Sequence, residues 1–173
     1  RQLSPALGGY EPQRTVDFYE PLRANLRAVP NVKAAALASV SILSGDEWDN
    51  SMSVEGHQAK DGEDMQAFMN ALSPGYFATM GIPLLEGRDF TRQDVRENPK
   101  VAIVNRRFAE HFFPGKSAVG RRIGNGTGPK TTLDVEIVGV VADTFYEGPR
   151  EGVHRQVFVP NWGKGGVAFY VRT

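Results

Sequence analysis

The sequence predicts an α+β domain built on a mixed sheet, and three observations carry that prediction. Apolar runs at 101–104, 133–141, 157–159 and 167–171, rich in valine with isoleucine or aromatic residues, have the composition of strands. Two short segments, beginning at Ser73 and Asn105, carry helix start and stop signals. Strands and short helices alternate without a single long βαβ series. At 173 residues the chain suits one ordinary domain or two small interlocked lobes, with enough length to bury a core.

The elements follow in order. Residues 1–14 carry Pro5, Gly8, Gly9 and Pro12 and read as an irregular lead-in. Val16, Tyr19, Leu22, Leu26 and Val29 then recur at spacings of three and four, the stripe of an amphipathic helix. Pro21 lies inside that stripe and either kinks the helix or marks a late start, since an interior proline costs about 3 kcal/mol. Pro30-Asn31 ends it. The run 32–43, rich in alanine and valine, reads as a buried strand, and 44–50 as a polar loop around Trp48. Met52 and Val54 alternate with serines, as in a short half-buried strand. Residues 56–64 form a polar connection and 65–72 a further strand.

The segment from Ser73 to Gly81 is the clearest local signal. Serine suits an N-cap because its oxygen accepts an orphan backbone N–H, and Pro74 lacks the N–H that would go unpaired there. Gly81 can take the left-handed conformation that ends a helix, and Pro83 prevents its resumption. Tyr76, Phe77 and Met80 are then available for burial. Leu84-Leu85 leads into a turn with a charged centre over 86–90. Asn105 caps a second helix, with Phe108 and Phe112 one turn apart and Pro114-Gly115 closing it. Residues 124–130 form a glycine-rich, hairpin-like loop before the strong strand 133–141.

Composition excludes several classes of function. Lys+Arg and Asp+Glu number 20 each, so the formal net charge is zero and no long-range field favours nucleic acid. Cysteine is absent, which removes thiol catalysis, zinc–thiolate sites and disulfides together. The apolar runs 34–43 and 137–142 are far shorter than the roughly 20 residues that span a bilayer. The amino terminus has no signal-peptide core. The abrupt start, and an end within the apolar stretch 167–171, give the expectation of an excised piece.

Motifs that carry chemistry are matched only in part along the chain. Residues 124–131 superficially resemble a phosphate-binding loop, but Pro129 stands where that loop needs glycine before Lys130, and a strand follows instead of a helix. Asp46, Glu47, Asp49 and Asn50 lack the alternation and terminal glutamate of a calcium loop. His57, His111 and His154 stand far apart in unrelated contexts, and no His-Glu-x-x-His or Gly-x-Ser-x-Gly arrangement exists. Asn125-Gly-Thr127 is a formal glycosylation sequon in a polar loop, and the pairs Arg106-Arg107 and Arg121-Arg122 are most simply solvated faces. The reading is of no catalytic residue, no metal ligand and no cofactor. Trp48 is a candidate partner contact, with loop packing as the simpler alternative.

An ordered series of segments resembles a known family. Residues 73–90, Ser-Pro-Gly-Tyr-Phe-Ala-Thr-Met-Gly-Ile-Pro-Leu-Leu-Glu-Gly-Arg-Asp-Phe, are similar to the signature of the periplasmic core domain of MacB/FtsX-like ABC-transporter permeases. Val101 to Asn105, Phe113-Pro-Gly115 and Val119 to Ile123 resemble its next segment. Glu136 to Asp143 and Val157 to Pro160 resemble the one after that. Upstream, Phe18-Tyr19 and Leu26 to Val32 resemble the helix and turn before the family's first alanine-rich strand. The closest likeness is to the duplicated orphan permeases of soil bacteria. Pro21 departs from the pattern by interrupting the helix, and Asn31 by standing where glycine is common.

The resemblance implies a set of structural motif residues: Ser73, Pro74, Gly75, Tyr76, Phe77, Gly81, Gly87, Arg88, Phe90, Asn105, Gly120, Gly139 and Asp143. It implies a porter-like lobe from residues 1–88 and 144–173 and a smaller inserted lobe from 89–143. It places the domain outside the inner membrane, between two transmembrane helices of a permease that pairs with a second protomer and a cytoplasmic ATPase subunit. A periplasmic adaptor or other protein partner would complete the set. The domain would then transmit motion rather than conduct substrate, with its two chain ends on one membrane-proximal face. The alternatives are a free-standing periplasmic ligand-binding or sensor domain and, last, a small hydrolase, for which no nucleophile–base pair is legible.

Overall fold

The computed structural model describes residues 12–39, 48–96, 100–144, 152–160 and 167–173. Four helices are present among them: α1 (Pro12–Arg27), α2 (Tyr76–Met80), α3 (Arg92–Arg96) and α4 (Arg106–Phe112). The strands are β1 (Ala34–Ala38), β2 (Trp48–Val54), β3 (Gln66–Ala71), β4 (Leu84–Gly87), β5 (Val101–Asn105), β6 (Arg122–Asn125), β7 (Val135–Val141), β8 (Gln156–Val159) and β9 (Ala168–Arg172). Parallel pairs (β3–β8, β5–β7) and antiparallel pairs share one seven-stranded sheet, so the mixed-sheet α+β prediction holds.

That sheet closes on itself. Its order is β4-β7-β5-β8-β3-β2-β6, and β6 pairs with β7 as well as with β2. The far edge of β7 is divided: Val135 and Glu136 face β6, while Gly139 to Val141 face β4. Six strands therefore form a small barrel, and β4 extends it along the second half of β7. A barrel of this size is filled by its own side chains. Ala102 and Val104 of β5, Ile137 and Val140 of β7, Met52, Ile123 and Val157 form one buried cluster, with Phe108, Phe112 and Phe113 packed among them. Val101 and Ile103, Val138 and Val141, and Phe158 belong to a second cluster with α2 and β1. Alternate residues of β5 thus point to opposite sides, as a strand's period of two requires. In β7 the alternation slips at a bulge, where the register shifts between Ala102 and Ile103 and leaves Val138 unmatched. The slip puts Ile137 and Val140, three apart, into the same core.

A second layer covers the outer cluster. β1 and β9 form a two-stranded antiparallel ribbon, from Ala34 opposite Arg172 to Ala38 opposite Ala168. A lone ribbon is marginal in water, and this one is held by packing on both α helices of its layer. Tyr19 of α1 is fully buried with Leu37, Ala71 and Val167, its ring edge-on to Phe169 at 5.8 Å. The helix runs through Pro21, which faces solvent. Residues 12–14 are helical rather than irregular, because Pro12 stands at the first helical position, where its missing N–H costs nothing. Val29, the last residue of the anticipated stripe, lies beyond the helix end and is 48% exposed. Asn31 takes φ 70°, the left-handed conformation that glycine would supply and that asparagine tolerates better than most residues.

Other expectations need correction or fall outside the described residues. Trp48, Asp49 and Asn50 are not loop: they begin β2, paired with Met69, Phe68 and Ala67. The Trp48 side chain, residues 40–47 and the lead-in 1–11 lie outside what is described. Leu84 to Gly87 is a strand rather than the start of a turn, since β7 offers it an edge that the local sequence cannot reveal. Strands β5, β6 and β7, all from 89–143, are hydrogen-bonded into the same sheet as β2, β3, β4 and β8. At the chain ends, Lys33 N–H donates to Arg172 O at 2.7 Å, so β9 finishes where β1 begins. Arg23, four residues before the end of α1, reaches Pro74 O, which follows the Ser73–Leu37 pairing. The helix therefore runs antiparallel to β1. The expectation that the two chain ends share one face falls outside the described residues, which begin at Pro12.

Candidate functional site

The motif residues within 73–90 lie where α2 packs on β1 and β9 and where β4 pairs with β7. Ser73 is not the helix cap. α2 starts at Tyr76, and its cap position is Gly75 at φ 82°, without a capping side chain. Ser73 is instead fully buried: its Oγ accepts the Leu37 N–H at 2.9 Å, and its own N–H donates to Leu37 O at 2.9 Å. The chemistry expected of a cap is used to stitch this turn to β1. Pro74 O accepts from Arg23 Nη1 at 3.1 Å, and Gly75 N–H donates to Asp89 Oδ2 at 3.1 Å. Gly81 ends the helix in the left-handed conformation, φ 70°, as its sequence position indicated. Tyr76 and Phe77 are buried, edge-on to Tyr170 at 5.4 Å and Phe158 at 5.2 Å.

Two glycines make the approach of β4 to β7 sterically open. A Cβ on Gly87 would stand 2.1 Å from Val138 O, and one on Gly139 would stand 2.5 Å from Arg88 O. Both lie below any real carbon–oxygen contact, so the paired backbones require glycine here. Arg88 N–H then donates to Val138 O, and its guanidinium grips Asp94 bidentately at 2.7 and 3.0 Å. Thr91 gives Asp94 two further bonds, from its N–H at 2.8 Å and its hydroxyl at 3.0 Å. Burial pushes the Asp94 carboxyl up, but Arg88 and Thr91 outweigh it and hold the group below the ordinary carboxylate range. Asp89 goes the other way: burial raises it, against N–H donors from Phe90 and Gly75. Phe90 is buried in the outer cluster. Asp89 and Asp94 were not singled out from the sequence, where they read as ordinary charged turn residues.

A second junction joins α4 to β8. Asn105 Oδ1 accepts the Phe108 N–H at 3.1 Å, the anticipated helix cap, and also the Gln156 N–H at 2.9 Å. Its Nδ2 donates to His154 O at 2.8 Å. Asp143 adds to the same helix start by accepting the Arg107 N–H at 2.8 Å, with Arg106 Nε 3.4 Å away. Gly120, at φ 85°, donates its N–H to Ile137 O at 2.8 Å and turns the chain into β6.

The histidines, far apart in sequence, come together at the open end of α4. His57 Nε2 lies 2.9 Å and His111 Nε2 3.8 Å from the same oxygen, Glu63 Oε1. His111, His154, Glu63, Asp64, Arg107 and Arg155 line a cleft of about 330 Å³. Arg155 binds Asp64 at 2.6 Å and stands 5.5 Å over the Phe112 ring. Among the described residues no group of three or more His, Asp or Glu side chains is arranged to hold a metal ion. None of the described helices is long and apolar enough to cross a membrane.

Comparison with known proteins identifies this arrangement. The model of the MacB-like periplasmic core domain family matches residues 2–173. The macrolide export ATP-binding/permease protein MacB of Chromobacterium violaceum is 29% identical over 107 residues, covering 60% of this chain and 16% of that protein. The fold matches the periplasmic region of MacB from Actinobacillus actinomycetemcomitans with a TM-score of 0.57 and 14% identity, covering 86% of this chain and 62% of that one. It also matches the extracellular domain of the ABC-type transporter YknZ from Gram-positive bacteria, with a TM-score of 0.54, 23% identity, and coverage of 89% and 72%. The chain thus spans about one sixth of the curated relative and well under the full length of each solved domain. With the family matched across the whole described fold, the chain belongs to the MacB-like periplasmic core domain family, the periplasmic part of MacB-type ABC transporter permeases.

Proposed function

We propose that this domain couples ATP hydrolysis by a cytoplasmic ATPase subunit to events in the periplasm, by moving as part of a dimeric permease held in the inner membrane. The match of the family model over residues 2–173 carries this reading. The site supports it in one respect. The residues shared with the family signature hold strands and helices to one another: Ser73 ties α2 to β1, Gly87 and Gly139 let β4 meet β7, and Arg88 grips Asp94. A body joined in this way can carry a displacement without deforming, which a transmitting module needs. Segment 89–143, with α4 and the loop after it, and the region around Trp48 are the proposed surfaces for a periplasmic adaptor or other protein partner.

The experiment uses the cysteine-free composition of this chain. Lys116→Cys, at an exposed position after α4, introduces a unique labelling site into the domain within the full permease. Spin labels on the two protomers, reconstituted with the cognate ATPase, report the distance between domains with and without trapped nucleotide. A distance that changes with nucleotide state is the expected result. One fixed distance in both states, with hydrolysis intact, would overturn the coupling. The competing reading, a free-standing periplasmic binding or sensor domain, is decided by the gene: apolar stretches of roughly 20 residues flanking this segment support the permease, and their absence removes it.

A further inference from the structure

The cleft at the open end of α4 takes no part in the motif junctions. Three separate chain segments wall it: Glu63 and Asp64 from the β2–β3 connection, Arg107 and His111 from α4, and residues 153–155 leading into β8. Arg107 and His111 stand four apart, so α4 turns both to one side. Arg155 fixes the facing wall, its side chain 12% exposed and its guanidinium 5.5 Å over the Phe112 ring. The volume, about 330 Å³, is at the low end for small-molecule sites, which are lined mostly by apolar side chains. Here Val153 is the one apolar residue among the described lining. An open, polar cleft of this size suits a side chain protruding from another protein better than it suits an enclosed ligand.

The polar groups left open decide which side chain. Both acids are engaged from within the protein. Asp64 takes Arg155 Nη2 on Oδ2 at 2.6 Å, Arg155 Nη1 on its carbonyl at 2.7 Å and the Gln66 N–H on Oδ1 at 2.9 Å. Glu63 takes the Lys60 N–H on Oε2 and His57 Nε2 on Oε1, each at 2.9 Å. Arg107 differs: Asp143 holds its backbone N–H, but among the described residues its guanidinium makes no hydrogen bond or ion pair. His111 Nε2, 3.8 Å from Glu63 Oε1, is beyond hydrogen-bond reach, and the His154 ring stands edge-on to Phe68. The unused capacity is therefore one guanidinium and two imidazoles, which offer N–H donors around a single unpaired positive charge. We propose that this cleft receives the carboxylate of an Asp or Glu side chain on an acidic segment of a periplasmic partner protein. Arg107 pairs with that carboxylate in the planar, two-pronged manner of a guanidinium, and His111 and His154 donate to its oxygens. The site lies on the α4 face put forward above for such a partner, and it rests on that part of the proposed function.

The test follows the 173-residue chain by nuclear magnetic resonance at neutral pH, with two end-blocked peptides in which glycine alternates with glutamate or with glutamine. The glutamate peptide, at millimolar concentration, is expected to shift the Arg107, His111 and His154 resonances together, and the glutamine peptide to leave them in place. Arg107→Gln is expected to weaken the glutamate peptide about threefold, the effect of one exposed ion pair. Lys130→Gln, at an exposed position in the glycine-rich loop, should leave the affinity unchanged, and both variants should melt with the parent. Equal shifts from the two peptides, or an Arg107→Gln variant that binds as tightly as the parent, would overturn the site. Acetate binding the same residues as tightly as the glutamate peptide would also overturn it, by making the cleft a small-anion site without a protein partner. The peptide titration involves neither nucleotide nor membrane, so its failure leaves the coupling of domain movement to hydrolysis standing, and a failure of that coupling leaves the peptide result standing.

Discussion

Single residues in this domain differ sharply in how much their surroundings demand of them, and the two kinds of glycine show it. Gly81 and Gly87 have nearly the same φ, 70° and 72°, but an added Cβ meets open space at Gly81 and the Val138 carbonyl at Gly87. Gly81→Ala should therefore cost only the left-handed strain, about 1–2 kcal/mol. Gly87→Ala adds a backbone clash that must be relieved by parting β4 from β7, and should cost at least another 1–3 kcal/mol. Urea unfolding of the two variants should separate them in that order; equal losses would mean the clash is relieved elsewhere. Asp94 yields a pH prediction. Its carboxyl is depressed in the fold, so its contribution is fully present above the ordinary carboxylate range and is lost as pH falls through its folded value. Asp94→Asn should be less stable than the parent at pH 7, with the gap narrowing towards pH 3. Parallel stability curves would show that Arg88 and Thr91 do not hold the charge. Neither aspartate's role was visible in the sequence, because Arg88-Asp89 and Asp94 look like any charged turn until β7 and Gly75 are brought beside them.

At the scale of elements, the short helices exist because of what they bury. α2 has five residues, far below the roughly 12–15 at which an isolated helix becomes even marginal. Tyr76 and Phe77, at 2% and 3% exposure, supply the packing that holds it. Truncating either to alanine should cost about 3–5 kcal/mol, read as a shift in the denaturation midpoint. Melts that match the parent for both would refute the structural role. α4 is fixed differently, through Asn105, whose amide joins the helix start to β8 with three bonds of good length. Asn105→Ala loses the cap and strands the Gln156 N–H in a buried site, so the expected loss exceeds the usual cap value of about 1 kcal/mol. Asn105→Asp keeps both acceptor bonds and loses the donor bonds to His154 O and Gln156 Oε1, so it should fall between parent and alanine in the same assay. The sequence located both helices, from Gly81, Pro83 and the Asn105 cap. It assigned Ser73 the wrong task, because a capping serine and a serine that bonds a neighbouring strand look alike until the strand is in place.

The described residues form a filled six-stranded barrel with a ribbon-and-helix layer against it, and among them the exposed surface shows little that would drive strong self-association. Among the described residues the exposed large apolar side chains are Val29, Leu84, Leu85 and Val171, and the formal net charge of the chain is zero. A stable dimer needs roughly 800 Å² from each partner. Sedimentation of the isolated chain at micromolar concentration should show a monomer or at most a weak dimer, and a tight dimer would contradict this. Removing 89–143 would withdraw β5, β6 and β7 from the sheet, so the segment's role is better probed by surface labels than by deletion. What the sequence determined by itself was local and repetitive: the β-branched runs of β5 and β7, the helix caps at Asn105 and Gly81, and an ordered motif series that named the family. These are written in neighbouring residues, where propensity and capping act over a few positions. Only the tertiary structure decided that β6 would bond both β2 and β7, that a bulge at Val138 would place Ile137 and Val140 in one core, and that His57 and His111 would share one carboxylate. Each of these depends on contacts between segments distant along the chain, and a bulge or a closed edge changes which face a side chain meets without changing the local pattern that precedes it.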